Sequence, residues 1–198
     1  MHRYLGYKIY QVGGLPLTPR SKYPVYCIRM CDSAILVNSG ALGDEEYLLR
    51  NLLELAVDPK ELKYLVLFTP SKEGAGLCRW LRELLRGLTV VSRREDARTF
   101  REGRGMEEFE PCPASLEVDD EPRALIKCDE GAVVAYYGVD SIVIITSEWI
   151  AALSKDVGKF LELSESILKK LEEFSIVGQV PRNIKAVCSL DKPVCVYP

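Results

Sequence analysis

"KYLVLFTPSKEGAGLCRWLREL", residues 63–84, decides the reading of this chain. "LKYLVLFT" is a continuous apolar run, the pattern of a strand covered on both faces. A short loop follows, holding Pro70, Ser71, Lys72, Glu73, Gly74 and Ala75. Leu77, Leu81, Leu84, Leu85 and Leu88 then recur at helical spacing. The frame is strand, tight loop, helix, yet the loop offers little catalytic chemistry as a set.

Working toward the amino terminus, Asp58 and Pro59 break the chain ahead of that strand. Before them "GDEEYLLRNLLELAV" predicts a helix, with Asp44 as its N-cap and two glutamates in its first turn. Its leucines at 48, 49, 52, 53 and 55 form a broad apolar face. "YPVYCIRM" and "SAILVNSG" predict two strands joined by a turn at "CDS", and "YKIYQVGG" a third strand entering a glycine turn.

Working toward the carboxyl terminus, "LTVVS" predicts a short strand. Residues 93–122 are charged and irregular. "RALIKC", "AVVAYYG", "SIVIITS" and "IKAVCSL" predict four more strands, and residues 156–174 a helix with an apolar stripe. Mixed units of this kind place the chain in the α/β class, with helices flanking sheets, as a single domain over residues 1–198.

Composition narrows the functions. The 198 residues are 47% hydrophobic and 28% charged, with net charge -3 and pI near 5.4. That balance gives no global attraction to nucleic acid or anionic membrane. No apolar run approaches the roughly 20 residues of a membrane span. "MHRYLGYKIY" lacks a signal-peptide pattern, so a cytoplasmic location is expected. Only five residues are Asn or Gln while Glu, Lys and Arg abound, a bias resembling heat-adapted proteins, in which intracellular disulfides become possible. The seven cysteines include no C-x-x-C pair, and His2 is the single histidine, which argues against zinc. Cys27 and Cys31 read as two small buried residues.

The order "ILVNSG", helix, "DPKELKYLVLFT", loop, "GLCRWLREL" resembles the metallo-β-lactamase superfamily. The resemblance implies an αββα four-layer sandwich: two mixed β-sheets flanked by helices. Asn38-Ser39-Gly40 matches the family's D-T-G-like turn. Aligned on Thr69 and Gly76, the resemblance puts Pro70, Lys72, Gly74 and Ala75 at the positions of the H-x-H-x-D-H metal ligands. Thr146-Ser147-Glu148 falls at the T-G-D turn, so Glu148 is a surviving carboxylate there. Cys128, Asp129 or Glu130 lies near a further histidine position, and Ser189 to Asp191 near the final one.

A proline, an ammonium, a glycine and a methyl group cannot ligate a metal pair, so neither metal nor cofactor is expected. The resemblance therefore implies a silent member: a binding or scaffold protein, paired with a protein partner or with itself. Lys72 and Glu148 form a candidate ion pair across the former metal site. The alternative is a metal-dependent hydrolase of a small or phosphorylated substrate with atypical ligands, for which Glu148 and Glu130 are the weak catalytic candidates. A third reading is a nucleic-acid-binding module using residues 79–104, where Arg79, Arg82 and Arg86 form a helical stripe. Interleaved Glu83, Glu95, Asp96 and Glu102 favour instead a solvated, salt-bridged face.

Overall fold

The computed structural model describes residues 2–6, 8–68, 71 and 73–92, together with the strands between residues 115 and 196. In chain order the elements are β1 (Arg3–Gly6), β2 (Ile9–Gly13), β3 (Val25–Arg29), β4 (Ala34–Val37), α1 (Glu45–Glu54), β5 (Leu62–Leu67), α2 (Cys78–Leu84) and β6 (Thr89–Ser92). They continue with β7 (Ser115–Val118), β8 (Arg123–Lys127), β9 (Ala132–Tyr137), β10 (Ser141–Thr146), β11 (Ile184–Ser189) and β12 (Cys195–Val196).

Two six-stranded sheets result. The first runs β1-β2-β3-β4-β5-β6 and the second β12-β11-β10-β9-β8-β7. In the first, β1 to β4 pair antiparallel, while β4-β5 and β5-β6 pair parallel. Helix α1 and then α2 supply the crossovers that parallel neighbours require. In the second sheet only β10-β11 is parallel.

Strand alternation divides the apolar residues between two cores. Ala34 and Leu36 of β4 point to one face, with Val25 and Cys27 of β3, Leu65 and Leu67 of β5, Leu48 and Leu52 of α1, and Leu77 and Leu81 from the α2 segment. Ile35 and Val37 point to the other, with Tyr26, Ile28 and Val66, and meet Val118, Ala124, Ile126 and Cys188 of the second sheet. All four residues of β4 are therefore buried. In β5 the apolar run is covered on both faces from Leu65 to Leu67, by helices on one side and a second sheet on the other, while Lys63 is exposed and Tyr64 half-buried. The expected second helical layer, residues 156–174, lies outside the described residues.

Several local expectations need correction. Asp44 stands at the N-cap of α1 but makes no capping bond. Its carboxylate accepts instead from the backbone N–H of Arg20 at 3.2 Å and of Ser21 at 2.8 Å. Leu53 is exposed rather than part of the α1 core face, and Leu84 likewise on α2. Cys27 is buried, but Cys31 is exposed in the turn after β3, so the two do not form a buried pair. Met30 closes that turn by donating its N–H to Ser33 O at 2.8 Å. Gly14 needs its own residue type: its φ is +79°, and a Cβ there would run into the backbone of Tyr23 and Pro24.

Candidate functional site

The candidate site lies where the chain leaves β4 and β5, the ends at which an open α/β sheet presents its loops. Asn38 turns the chain at φ 60° immediately after β4. Its Nδ2 donates to Pro24 O, and its Oδ1 accepts from the N–H of Phe68, both at 3.3 Å. A buried asparagine thereby ties the end of β4 to the end of β5 and to the strand entering β3. Asn tolerates this left-handed backbone better than most residues.

The next two residues hold the loop after β5. Ser39 and Gly40 both donate their N–H to Gly74 O, at 2.8 and 3.2 Å. Gly40 and Ala75 form a parallel bridge, and the Leu77 N–H donates to Ser39 Oγ at 3.2 Å. Within the loop, the Gly74 N–H donates to Ser71 Oγ at 3.0 Å and the Ala75 N–H to Ser71 O at 2.9 Å. Ala75 is fully buried, its methyl in the helix-side core. Ser71, Gly74 and Ala75 thus form a pinned structural turn.

A second tier braces the first. Ser21 Oγ accepts from the Ala41 N–H at 2.6 Å and donates to Asp44 Oδ2 at 2.7 Å. Gly40 has φ +86°, and a Cβ there would stand 2.8 Å from Ser21 Oγ. The residues 18–24 are thus fixed against residues 38–44 by buried polar contacts, each a satisfied donor or acceptor.

Of the positions the resemblance assigns to metal ligands, Gly74 and Ala75 are brought to the end of β4; neither carries a side-chain donor. Pro70 and Lys72 lie outside the described residues, as do Glu130 and Glu148, and with them the Lys72–Glu148 ion pair. The strand ends that lead to these segments are placed. Thr146, two residues before Glu148, is the Cα partner of Ser189 on the parallel pair β10-β11. Lys127, three residues before Glu130, ends β8 opposite Ala132 of β9. Among the described residues no group of three or more His, Cys, Asp and Glu could hold a metal ion. His2 sits elsewhere, its Nδ1 3.6 Å from Glu54 Oε2 and its ring edge-on to Tyr10.

The arginine stripe is altered. Arg79 and Arg82 lie on α2, but the helix ends at Leu84, so Arg86 falls beyond it. Arg79 Nε donates to Glu83 Oε1 at 2.8 Å in an exposed i,i+4 pair. That pair is of the solvated kind favoured from the sequence, while Glu95, Asp96 and Glu102 lie outside the described residues.

Sequence reasoning placed the Asn38-Ser39-Gly40 turn but missed what it grips. The partners Gly74, Leu77 and Phe68 are 30 to 38 residues away, and no local pattern announces them. It also missed the brace from Ser21 to Asp44, since a helix cap is the default reading of such an aspartate.

No protein-family model matches the chain, and no curated protein matches it by sequence. Solved structures do. A metallo-β-lactamase from Cronobacter sakazakii aligns with TM-score 0.64 at 11% identity, over 96% of this chain and 79% of that one. The metallo-β-lactamase SMB-1, in complex with mercaptoacetic acid, aligns with TM-score 0.62 at 13% identity, over 98% and 80%. A B3 metallo-β-lactamase described as having an active-site glutamic acid aligns with TM-score 0.57 at 14% identity, over 100% and 82%. At such identities the likeness speaks for architecture alone. The chain has the metallo-β-lactamase-like fold.

Proposed function

We propose that this protein is a catalytically silent metallo-β-lactamase-like protein that works by binding a protein partner, either an active relative or a second copy of itself. One observation carries the reading: the loop after β5 is pinned at Gly74 and Ala75 by Ser39 and Gly40, at positions where the resemblance calls for metal ligands. Hydrogen and methyl side chains supply no ligand. Hydrolases of this architecture use a metal pair to generate hydroxide and polarise the bond that breaks. Without imidazole or carboxylate at those positions that chemistry has no seat.

Elemental analysis tests this on protein purified without chelator and again after incubation with zinc, iron or manganese. Less than about a tenth of an ion per chain in every case is the expected result, with sedimentation showing a dimer or a co-purifying subunit. One or two tightly held ions per chain would overturn it.

The second reading is a metal-dependent hydrolase with atypical carboxylate ligands. Glu73 favours it, being only half-buried in the pinned loop, as does the similar structure described as having an active-site glutamic acid. In that case metal uptake would fall in Glu73→Gln or Glu148→Gln.

A further inference from the structure

Beside the candidate site, residues 18–24 and 38–44 share one braced outer surface. Leu42 lies on it, 61% exposed, and Tyr47 on the first turn of α1 adds a second exposed apolar side chain. Single exposed apolar residues are ordinary. The charges around Leu42 are what single this surface out.

Arg20 and Lys22 are exposed on the first strip. Arg20 lies across the backbone of the second: its Nη1 donates to Leu42 O at 3.5 Å, and a Cβ on Gly43 would meet that nitrogen at 2.5 Å. Glu45, half-buried, and Glu46, exposed, open α1 directly after Asp44, whose carboxylate holds the backbone of Arg20 and Ser21. Two cations and two anions thus adjoin Leu42. Among the described residues none of the four side chains forms an ion pair.

A surface of this kind is complementary to itself. In a two-fold dimer one patch meets its own copy, so a contact from i to j is matched by one from j to i. Turned about an axis at Leu42, Arg20 and Lys22 meet the two glutamates of the second copy, and the exchange occurs twice. A different protein would have to supply the matching charges, whereas a copy has them already. The brace also lowers the cost of association. Ser21 and Asp44 hold both strips through buried hydrogen bonds, so little backbone is left to order on binding.

We propose that this surface binds a second copy of the chain, with Leu42 at the centre and Arg20 and Lys22 of each copy against Glu45 and Glu46 of the other. The proposal rests on the proposed function for its choice of a protein partner, and gives the self-paired form of that function its interface.

Sedimentation equilibrium of the full chain at low salt tests it, and the parent should be a dimer. Leu42→Asp alters an exposed side chain and strikes both halves of the interface at once, so it should weaken the dimer at least about 100-fold. Arg20→Glu with Lys22→Glu leaves only anions on the patch, and Glu45→Lys with Glu46→Lys only cations. Each double variant alone should sediment as a monomer, and their equimolar mixture as a dimer. Mixing restores association only when both variants are folded. A monomeric parent would overturn the proposal, as would a dimer that survives Leu42→Asp, or folded charge variants that remain monomeric when mixed. Metal analysis of the same samples separates the two failures. A metal-free monomer that co-purifies with a different subunit defeats this interface and leaves the silent binding protein standing. A metal-bearing dimer that responds to these variants supports the interface and defeats the silent reading.

Discussion

Asp44 Oδ2 receives both hydrogens that Ser21 can give, the amide at 2.8 Å and the hydroxyl at 2.7 Å. Both residues are buried, so the carboxylate belongs to the loop brace rather than to the helix it precedes. Removing it strands donors that water does not reach. Asp44→Ala should lower stability by about 2–3 kcal/mol, measured by the urea midpoint at constant slope. Asp44→Asn, which keeps one acceptor, should lose less. A change below about 0.5 kcal/mol, the range of an ordinary surface substitution, would show that the brace contributes nothing.

Asn38 makes a different prediction, because its amide donates and accepts at once. Asn38→Asp restores the residue of the family's turn but leaves Pro24 O facing a carboxylate. We expect a loss of about 1–3 kcal/mol and no gain in bound metal. Asn38→Ala should be worse, since it forfeits both bonds and adds roughly 1–2 kcal/mol for a left-handed backbone. Thermal unfolding of the two variants beside the parent checks the order.

The free thiols Cys27 and Cys31 should differ sharply in reactivity. Burial pushes the Cys27 thiol up from 9.0 to about 12, whereas Cys31 is exposed. At pH 8 a thiol reagent should label Cys31 in the native state and reach Cys27 only on unfolding. The pH dependence follows from the same shift. Below pH 9 the thiol is neutral in both states and costs nothing. Between pH 9 and about 12 the unfolded chain ionises first, so stability falls as pH rises. Cys27→Ala should flatten that part of the profile, whatever it does to stability at pH 7.

Gly14 and Gly87 form a matched pair. Gly14 is left-handed with backbone against its open side, while a Cβ on Gly87 would meet nothing within 4 Å. Gly14→Ala should cost more than about 2 kcal/mol, adding a backbone clash to the left-handed penalty. Gly87→Ala should be neutral, or stabilising by roughly 0.4–1 kcal/mol through the unfolded chain. Equal midpoints for the two would contradict the local geometry.

The sequence made the sheets legible where burial is symmetric. β4 and the second half of β5 stand out because alternate residues face two cores, leaving the apolar runs Ala34–Val37 and Leu65–Leu67. β1 has no counterpart among the predicted strands for the opposite reason: it is an edge strand, with Tyr4 63% exposed and little apolar signal. β12, two residues long, gives no periodicity to detect. The turn after β4 was reached through the resemblance, but its grip on Gly74 and Leu77 depends on contacts that only the folded chain creates. Cys31 misled because spacing on a strand says nothing about where that strand stops.

The double burial of β4 has a consequence for hydrogen exchange. Its amides are walled by helices on one side and a second sheet on the other, with β3 and β5 bonded along both edges. No local fraying exposes them, so they should exchange only when the whole chain opens. The loop residues a few positions further on answer to a separate, smaller opening. Two clocks would then run within ten residues of chain, a slow one for the sheet and a faster one for the loop, and substitutions in the loop could reset the second without touching the first.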